Sequence, residues 1–440
     1  MIYLKLEDIN VLKFDFSKNY YEIFYPELLP FTLRDRLKDT RNIFDVNVWF
    51  DNKELMASFF TNRSISVRRE NAKYIMNQLG IKQGNDFESR FKAMIECKAL
   101  SAADSYWITE NENDKWNEVN LLSSPLNESL QQIGLFGSSV KIKGKIQTPE
   151  LTGQGAYAKA WYCENGKLYL YKANSSGGNE CEREVLSSNI LDCFNVPHVK
   201  YELVQKEGLT VCKCENMNLK NTSLVDSVEA DIWANRNGTN LTDLAKKIDS
   251  ELFYKTIVVD YLISNSDRHG GNWGFYMNNQ NGKLIAMHPL FDHNNAFDKN
   301  FMHSEDGGIC QLLPGKSQKE AALYAIKRCD FRCIKAVEKS MFFDEAMYES
   351  FMSRAVELGL YQKQKITFTD KIFSKKKELF IPVELKDDNT SEYWKNINSK
   401  LFFGNKIKTD EKIENERKTV IEKTPTIAKR IKSSYWSISD

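Results

Sequence analysis

The chain carries almost no net charge. Its 440 residues hold 61 Lys and Arg against 60 Asp and Glu, a formal balance of +1. No global field draws it to nucleic acid or to an anionic membrane, so direct nucleic-acid binding is not expected. Long apolar runs are also missing. Runs such as 256–259 fall far short of the ~20 residues a membrane helix needs. No disulfide framework can be read, because the nine cysteines are odd in number and irregularly spaced. The first residues, Met1 to Asp8, carry charge where a secretory leader needs an apolar stretch. These absences predict a cytoplasmic protein with reduced thiols and no membrane partner. No internal repeat is visible. Histidine is scarce, five in all, which argues against a histidine-rich metal centre.

What is present suffices for a core: 42% of residues are apolar and 12% aromatic. The length suggests about three domain-sized units. Residues 1–147 read as an N-terminal domain of α/β type whose role is not legible. Helices are predicted over 67–79, ended by Gly80, and over 87–99. Arg63, Arg68 and Arg69 read as a solvated basic face. The aromatic run 104–108 reads as core.

Residues 148–216 have a different pattern. A small-residue loop, Leu151-Thr152-Gly153-Gln154-Gly155, precedes two strand-like runs at 156–162 and 167–173. Asn165-Gly166 between them is a strong hairpin signal. A flexible piece, 174–179, leads to a helix over 180–193. A second hairpin spans 198–204 and 209–214. Together these predict a small antiparallel sheet with one helix against it. Residues 217–385 turn helical, with Phe253, Ile257 and Tyr261 at four-residue steps. A further hairpin is predicted over 273–277 and 283–287, turning at Asn281-Gly282. Residues 316–362 read as mostly helical. Residues 386–440, with Lys-rich and acidic stretches, read as a charged, peripheral C-terminal extension.

The chemistry concentrates in Asn265-Ser266-Asp267-Arg268-His269-Gly270-Gly271-Asn272-Trp273-Gly274. This contains Asp-x4-Asn, the spacing of a kinase catalytic loop, where the Asp accepts the substrate hydroxyl proton and the Asn holds a metal. If the hairpin at 281–282 folds back with partners summing to about 563, Asn272 faces residue 291, beside Asp292. Asn272 and Asp292 would then offer oxygen ligands from two strands, a composition that suits Mg²⁺ with substrate phosphates. The upstream hairpin places Lys159 opposite Lys172. Like charges there repel, and a bound polyanion would offset the repulsion. On that reading, Lys172→Met should not destabilise the ligand-free protein. Gly153 and Gly155 leave bare backbone where a phosphate can approach. Kinases pair their lysine with a carboxylate on the following helix. Glu180, Glu182 and Glu184 are candidates, with Glu184 favoured because it lies inside the apolar helical pattern. His269 would orient Asp267 or the loop backbone. Cys310, Cys329 and Cys333 read as buried thiols rather than zinc ligands.

The segment 265–274, followed by Pro289-Leu290-Phe291-Asp292, resembles the catalytic core of HipA-like kinases. These are bacterial Ser/Thr kinases of protein-kinase-like fold, often toxins of toxin–antitoxin pairs. The resemblance covers about residues 149–360. It implies an α+β, two-lobed fold, with a small antiparallel sheet lobe and a helical lobe behind the extra N-terminal domain. It implies ATP and Mg²⁺ as cofactors, Asp267 as catalytic base, Asn272 and Asp292 as metal ligands, and Lys172 as an ATP contact. A protein acceptor and an antitoxin or other regulatory partner follow from it. Family founders carry a phosphorylatable serine in the loop before the first hairpin. Here that loop has none, and Thr148 and Thr152 are the nearest hydroxyls. Two other readings stand beside the kinase: a nucleotide-binding pseudokinase serving as an interaction module, and a metal-dependent phosphohydrolase using Asp267, His269, Asp292 and His293.

Overall fold

The computed structural model describes residues 1–81, 87–153, 155–369 and 374–402. Met1–Leu401 pack as one compact unit of mixed α+β architecture, with small sheets beside helical regions.

The N-terminal sheet holds β1 (Ile2–Leu6), β2 (Ile9–Asp15), β3 (Tyr20–Ile23) and β4 (Tyr106–Thr109), in the order β3-β2-β1-β4. Every pairing in it is antiparallel. This part is therefore α+β rather than the expected α/β type. Its first strands are joined by short turns at Glu7 and Asn19, both at positive φ, and not by the crossover helices that parallel strands need. Five helices accompany the sheet: α1 (Val46–Arg63), α2 (Ala72–Gln78), α3 (Phe87–Glu96), α4 (Trp116–Val119) and α5 (Glu128–Phe136). Phe14, Tyr21, Met56, Phe60, Ile75, Met94, Leu130 and Leu151 share one core.

Two expectations fail here. The helix over 67–79 begins only at Ala72, because Asn71 sits in the left-handed region at φ 66 and cannot continue a helix upstream. Arg63 and Arg69 form no solvated face. Arg63 pairs with Asp104 at 2.6 Å, and Arg69 pairs with Glu150, both inside the fold. Their partners lie 41 and 81 residues away, beyond any local pattern.

The next sheet holds β5 (Lys159–Glu164), β6 (Lys167–Ala173), β7 (Tyr201–Lys206) and β8 (Leu209–Glu215), in the order β5-β6-β8-β7. Asn165 and Gly166 both take positive φ, as a two-residue hairpin turn requires. Helix α6 (Glu180–Leu191) covers this sheet through Cys181, which packs with Tyr201, Cys212 and Cys214.

The helical part contains α7 (Ser227–Arg236), α8 (Leu241–Leu262), α9 (Lys299–His303), α10 (Gln318–Ala325) and α11 (Glu345–Glu357). The expected apolar stripe lies on α8, buried from Leu252 to Leu262. Three strands join these helices: β9 (Thr222–Asp226), β10 (Gly274–Asn278) and β11 (Leu284–Met287), ordered β11-β10-β9. Strand β9 falls where helix was expected. Its five residues pair with β10, a distant partner that overrides local preference.

A hairpin of β12 (Tyr361–Thr369) and β13 (Ser374–Pro382) and a helix, α12 (Thr390–Phe402), complete the described chain. Helix α12 is not peripheral. Ile397 is buried with Tyr276, Ile285 and Ala286, and the Tyr393 hydroxyl donates to Met287 O at 2.6 Å. The remainder of the expected C-terminal extension, 403–440, lies outside the described residues. Among the described residues no helix is long and apolar enough to cross a membrane. All nine cysteines are free thiols.

Candidate active site

The β5–β6 hairpin sets Lys159 directly opposite Lys172. The ligand-free chain already meets one of these charges. Lys172 Nζ donates to Glu184 Oε1 at 2.5 Å and to Asp292 Oδ1 at 2.7 Å. The Glu184 side chain is fully buried, and those of Lys172 and Asp292 are 12% and 29% exposed. Burial alone would discharge this lysine, yet Asp292 and Glu184 outweigh it and hold its pKa well above the ordinary value. Burial likewise works against the Asp292 carboxylate, but Lys172 dominates and keeps it ionised far below the usual range. Glu184 goes the other way: burial raises it, against the opposing pull of Lys172.

Of the three glutamates on α6, Glu184 is the one paired with Lys172 in the structure. Glu182 accepts instead from Asn174 Nδ2, and Glu180 from Ser175. Glu184 does more than pair. Its Oε2 accepts from the backbone of His293 at 2.7 Å, so α6 also holds the turn that carries Asp292. Asp292 itself sits at φ 60, the left-handed region, a cost accepted only where the surroundings over-determine it.

Lys159 faces a different environment. Burial, then Arg69 and Lys172, push its amine down to about 7. Its Nζ stands where a Cβ on Gly155 would lie. A Cβ on Gly153 would meet Arg69 Nη1 at 3.1 Å. Both glycines thus admit basic side chains of the chain itself. Gln154 lies outside the described residues. Thr148 and Thr152 are both buried, and Thr152 Oγ1 donates to Leu100 O at 2.7 Å.

The loop after α8 carries the remaining candidates. Asp267 is 40% exposed, and its Oδ2 accepts from Asn295 Nδ2 at 2.8 Å. His269 is exposed, with Nε2 4.0 Å from that oxygen, and its Nδ1 accepts from Gly271 N at 3.0 Å. Asn272 is buried. Its Nδ2 donates to Asp267 O, and its Oδ1 has no partner among the described residues.

The expected ladder does not deliver Asp292. Phe275 pairs with Met287 and Tyr276 with Ala286, one step off the expected register, and a bulge follows at Met277. Asn272 precedes β10, and Asp292 lies past β11. They meet through a residue the sequence reading left without a role. Arg268 Nη1 donates to Asn272 O at 2.9 Å and to Phe291 O at 3.2 Å. Its other nitrogens grip Asp260 of α8 at 2.8 to 3.2 Å. One buried guanidinium therefore joins the 267–272 loop to the 291–295 turn. The signal was available: Asp260 is a carboxylate inside the apolar run 256–263, and a buried carboxylate needs a partner. Tyr157 was also missed. Burial, then Glu180, Asp267 and Asp292, push its phenol up, so the segment after Gly155 reaches over the same group.

The donor set fits a hard cation. An orphaned buried amide oxygen on Asn272 and the ionised carboxylate of Asp292 are the oxygen ligands Mg²⁺ prefers. Among the described residues no cluster of three His, Cys, Asp or Glu could hold a metal alone, so further ligands would come from phosphate and water. Nor do Asp267, His269, Asp292 and His293, the set of the phosphohydrolase reading, gather into such a cluster among the described residues.

Residues 152–309 match the family model described as HipA-like kinase. The serine/threonine-protein kinase CtkA of Helicobacter pylori is 26% identical over 151 residues, which is 29% of this chain and 46% of that protein. The match thus spans less than half of that relative's length. Two solved structures are similar. The Helicobacter pylori proinflammatory kinase CtkA shares 18% identity at a TM-score of 0.34, over 47% of this chain and 88% of its own. A chain from the Shewanella oneidensis complex of HipA, HipB and operator DNA shares 14% at a TM-score of 0.47, over 81% and 96%. The resemblance to HipA-like kinases read from 265–274 and 289–292 is borne out by the family match over the central region.

Proposed function

We propose that this chain, HipA-like over its central region, is an ATP- and Mg²⁺-dependent kinase that phosphorylates a protein serine or threonine. Its parts would be a sheet lobe over 148–216, a helical lobe over 217–385, the N-terminal domain over 1–147 and the extension from 386. The observation that carries the reading is the Lys172–Glu184–Asp292 triangle, with the unpartnered Asn272 Oδ1 tied to the same turn through Arg268.

Asp267, open to solvent and oriented by Asn295, accepts the proton of the acceptor hydroxyl. The freed oxygen attacks the γ-phosphorus, the bond to the β–γ bridging oxygen breaks, and ADP leaves. Lys172, released in part from its carboxylates, and Lys159 position the phosphates. Gly153 and Gly155 let the loop lie close over them. Asn272 and Asp292 would hold Mg²⁺, which when bound would supply neutralising charge for the phosphates. Catalysis rests on positioning and preorganised charge. His269 orders the loop backbone through Gly271. A regulatory protein partner of antitoxin type rests on the family resemblance alone.

The test is transfer of label from γ-³²P-ATP by the purified chain, with Asp267→Ala as control. Label on protein that depends on Mg²⁺ and on Asp267 supports the reading. Mg-ATP binding without transfer supports the pseudokinase instead. Phosphate release from an ester without ATP supports the phosphohydrolase.

A further inference from the structure

Helix α7 begins against the loop that carries Asp267. Ser227 N and Oγ both donate to Gly270 O, at 3.2 and 3.0 Å. A Cβ on Gly270 would come within 2.6 Å of Val228 Cγ2. From there one face of the helix runs outward through Val228, Ile232 and Arg236, at four-residue steps. Val228 and Ile232 are 53% and 47% exposed, unusually open for large apolar side chains on a helix, and Arg236 is exposed too.

This stripe ends in a cleft of about 130 Å³ between the end of α7 and the segment 31–36. Phe31, Arg34, Arg36, Glu229, Trp233 and Arg236 line it. The two sides are held together by Phe31 and Trp233, whose ring centroids lie 6.1 Å apart. The Arg36 and Arg236 guanidinium groups thus face each other at this cleft, with Arg34 beside them in its lining. Arg34 Nη2 donates to Leu29 O at 2.9 Å, while its Nε is buried without a partner among the described residues. Arg36 has only a long contact to Thr32 O at 3.4 Å. Burial and then Arg236 push the Arg36 guanidinium down, the mark of like charges facing each other. Among the described residues none of the three forms an ion pair. Asp35 and Glu27 bear on Arg34, but no carboxylate bears on Arg36. Glu229 is pushed up to about 8 by burial, with Asp226 and Asp104 adding to it and Arg63 opposing.

We propose that this cleft docks an acidic segment of the protein acceptor, with the apolar stripe of α7 as the path to the catalytic loop. The proposal rests on the kinase reading for the hydroxyl at Asp267. The acceptor runs extended over Val228 and Ile232 and places Asp or Glu carboxylates among Arg34, Arg36 and Arg236. Guanidinium groups suit carboxylates because they offer paired donors in a plane. The eight helical steps from Val228 to Arg236 span ~12 Å, which an extended peptide covers in about four residues. The acidic residues thus lie at least about four positions from the acceptor hydroxyl. A nucleic acid is the poorer occupant. The cleft is walled by Phe31 and Trp233, its approach is aliphatic, and the chain has a net charge of only +1.

The test uses fluorescent peptides with a central serine, leucines beside it, and a run of glutamates four or more positions away on one side or the other. Each has a twin in which lysines replace the glutamates. Anisotropy reads binding to the full chain, which needs no phosphate transfer. One glutamate peptide should bind at least about tenfold more tightly than its twin. Arg36→Glu with Arg236→Glu should erase that preference and favour the lysine twin, while the melting shift given by Mg-ATP stays as in wild type. Arg236→Glu alone, at an exposed position, should give the same direction if the pair fails to fold. Phosphorylation of the glutamate peptide should fall through KM, with kcat kept. Equal binding of the twins to wild type overturns the proposal, as does a preference that the arginine variants leave unchanged. A short oligonucleotide that binds more tightly than every peptide overturns it as well. A glutamate preference that follows the arginines, with no label passed to any peptide or protein, upholds the cleft and overturns the kinase reading instead.

Discussion

Lys172→Met should destabilise the ligand-free protein, the reverse of what two facing lysines alone suggest. The variant relieves one like-charge contact with Lys159, worth a fraction of a kcal/mol on a sheet by the usual scale of cross-strand pairs. Against that, it strands two carboxylates. Glu184 and Asp292 lose their donor at 2.5 and 2.7 Å. Removing one partner of a buried ion pair costs about 3–5 kcal/mol, because the other charge stays behind. The cost wins, and the variant should melt several degrees below wild type. The two carboxylates then separate by pH. Asp292 is held low by Lys172, so its share of the loss is constant around neutrality. Glu184 is pushed up to about 7 by burial, with Lys172 opposing. A carboxyl raised on folding stabilises fully below its unfolded value and loses that contribution as pH rises toward its folded value. Without Lys172 the folded value moves higher, so the loss continues past neutrality. The gap between variant and wild type should widen by about 1.4 kcal/mol per pH unit there. Thermal melts of both proteins at pH 6, 7 and 8, without nucleotide, read this directly. Equal melts, or a gap that does not grow with pH, would refute the pairing. Saturating Mg-ATP at about 100 times its dissociation constant should add about 2.7 kcal/mol to wild type by mass action, and much less to the variant.

Asp267→Ala should lower phosphotransfer by about 10²- to 10⁴-fold and leave the Mg-ATP melting shift in place, as a positioned base requires; near-normal turnover would remove the base assignment. Asp292→Asn should weaken magnesium-dependent ATP binding, and Asn272→Ala should do so less strongly, both read from a magnesium titration; unchanged metal dependence in both would dismiss them as ligands. Arg69→Met should cost about 3–5 kcal/mol by leaving Glu150 buried without its cation, read from thermal melts; a neutral variant would mean that the pair merely fills space. Gly134→Ala should destabilise despite the better helix propensity of alanine, because its Cβ would lie 2.7 Å from Lys159 O, a backbone atom that cannot swing aside; a melting temperature at or above wild type would contradict that contact.

The hairpins and the α8 stripe were legible because period and turn chemistry are local. Asn165-Gly166 set the register of Lys159 against Lys172 without any knowledge of the rest. The same logic misplaced Asn272 against residue 291. A bulge between Tyr276 and Met277 leaves no trace in a two-residue period, and the last ladder pair is Phe275 with Met287. What assembles the site is carried by long-range polar contacts. Arg268 reads as one more loop cation until Asp260, Asn272 and Phe291 surround it. Arg69 reads as a surface charge until Glu150 comes to it across 81 residues. Strand β9 and helix α12 were missed for the same reason: each is stabilised by the β10–β11 hairpin rather than by its own pattern.

These contacts also explain why a domain without legible chemistry sits before the kinase-like region. Strand β5 is the edge of its sheet, and an edge exposes backbone groups that must be satisfied. Here Arg69 and Gln131 from the N-terminal part, and Glu150 just after it, do it. Arg69 Nη2 donates to Lys159 O at 2.5 Å, Glu150 Oε1 accepts from Trp161 N at 2.6 Å, and Gln131 Nε2 donates to Trp161 O at 2.8 Å. Three consecutive outward-facing groups of β5 are thus closed by residues from three separate segments. The strand so fixed is the one that carries Lys159 and follows the glycine loop. Its position against β6, and hence the spacing of the two lysines that would meet a phosphate, depends on the first 150 residues as much as on its own sheet. A kinase-like region cut free at residue 152 would present β5 with that edge bare.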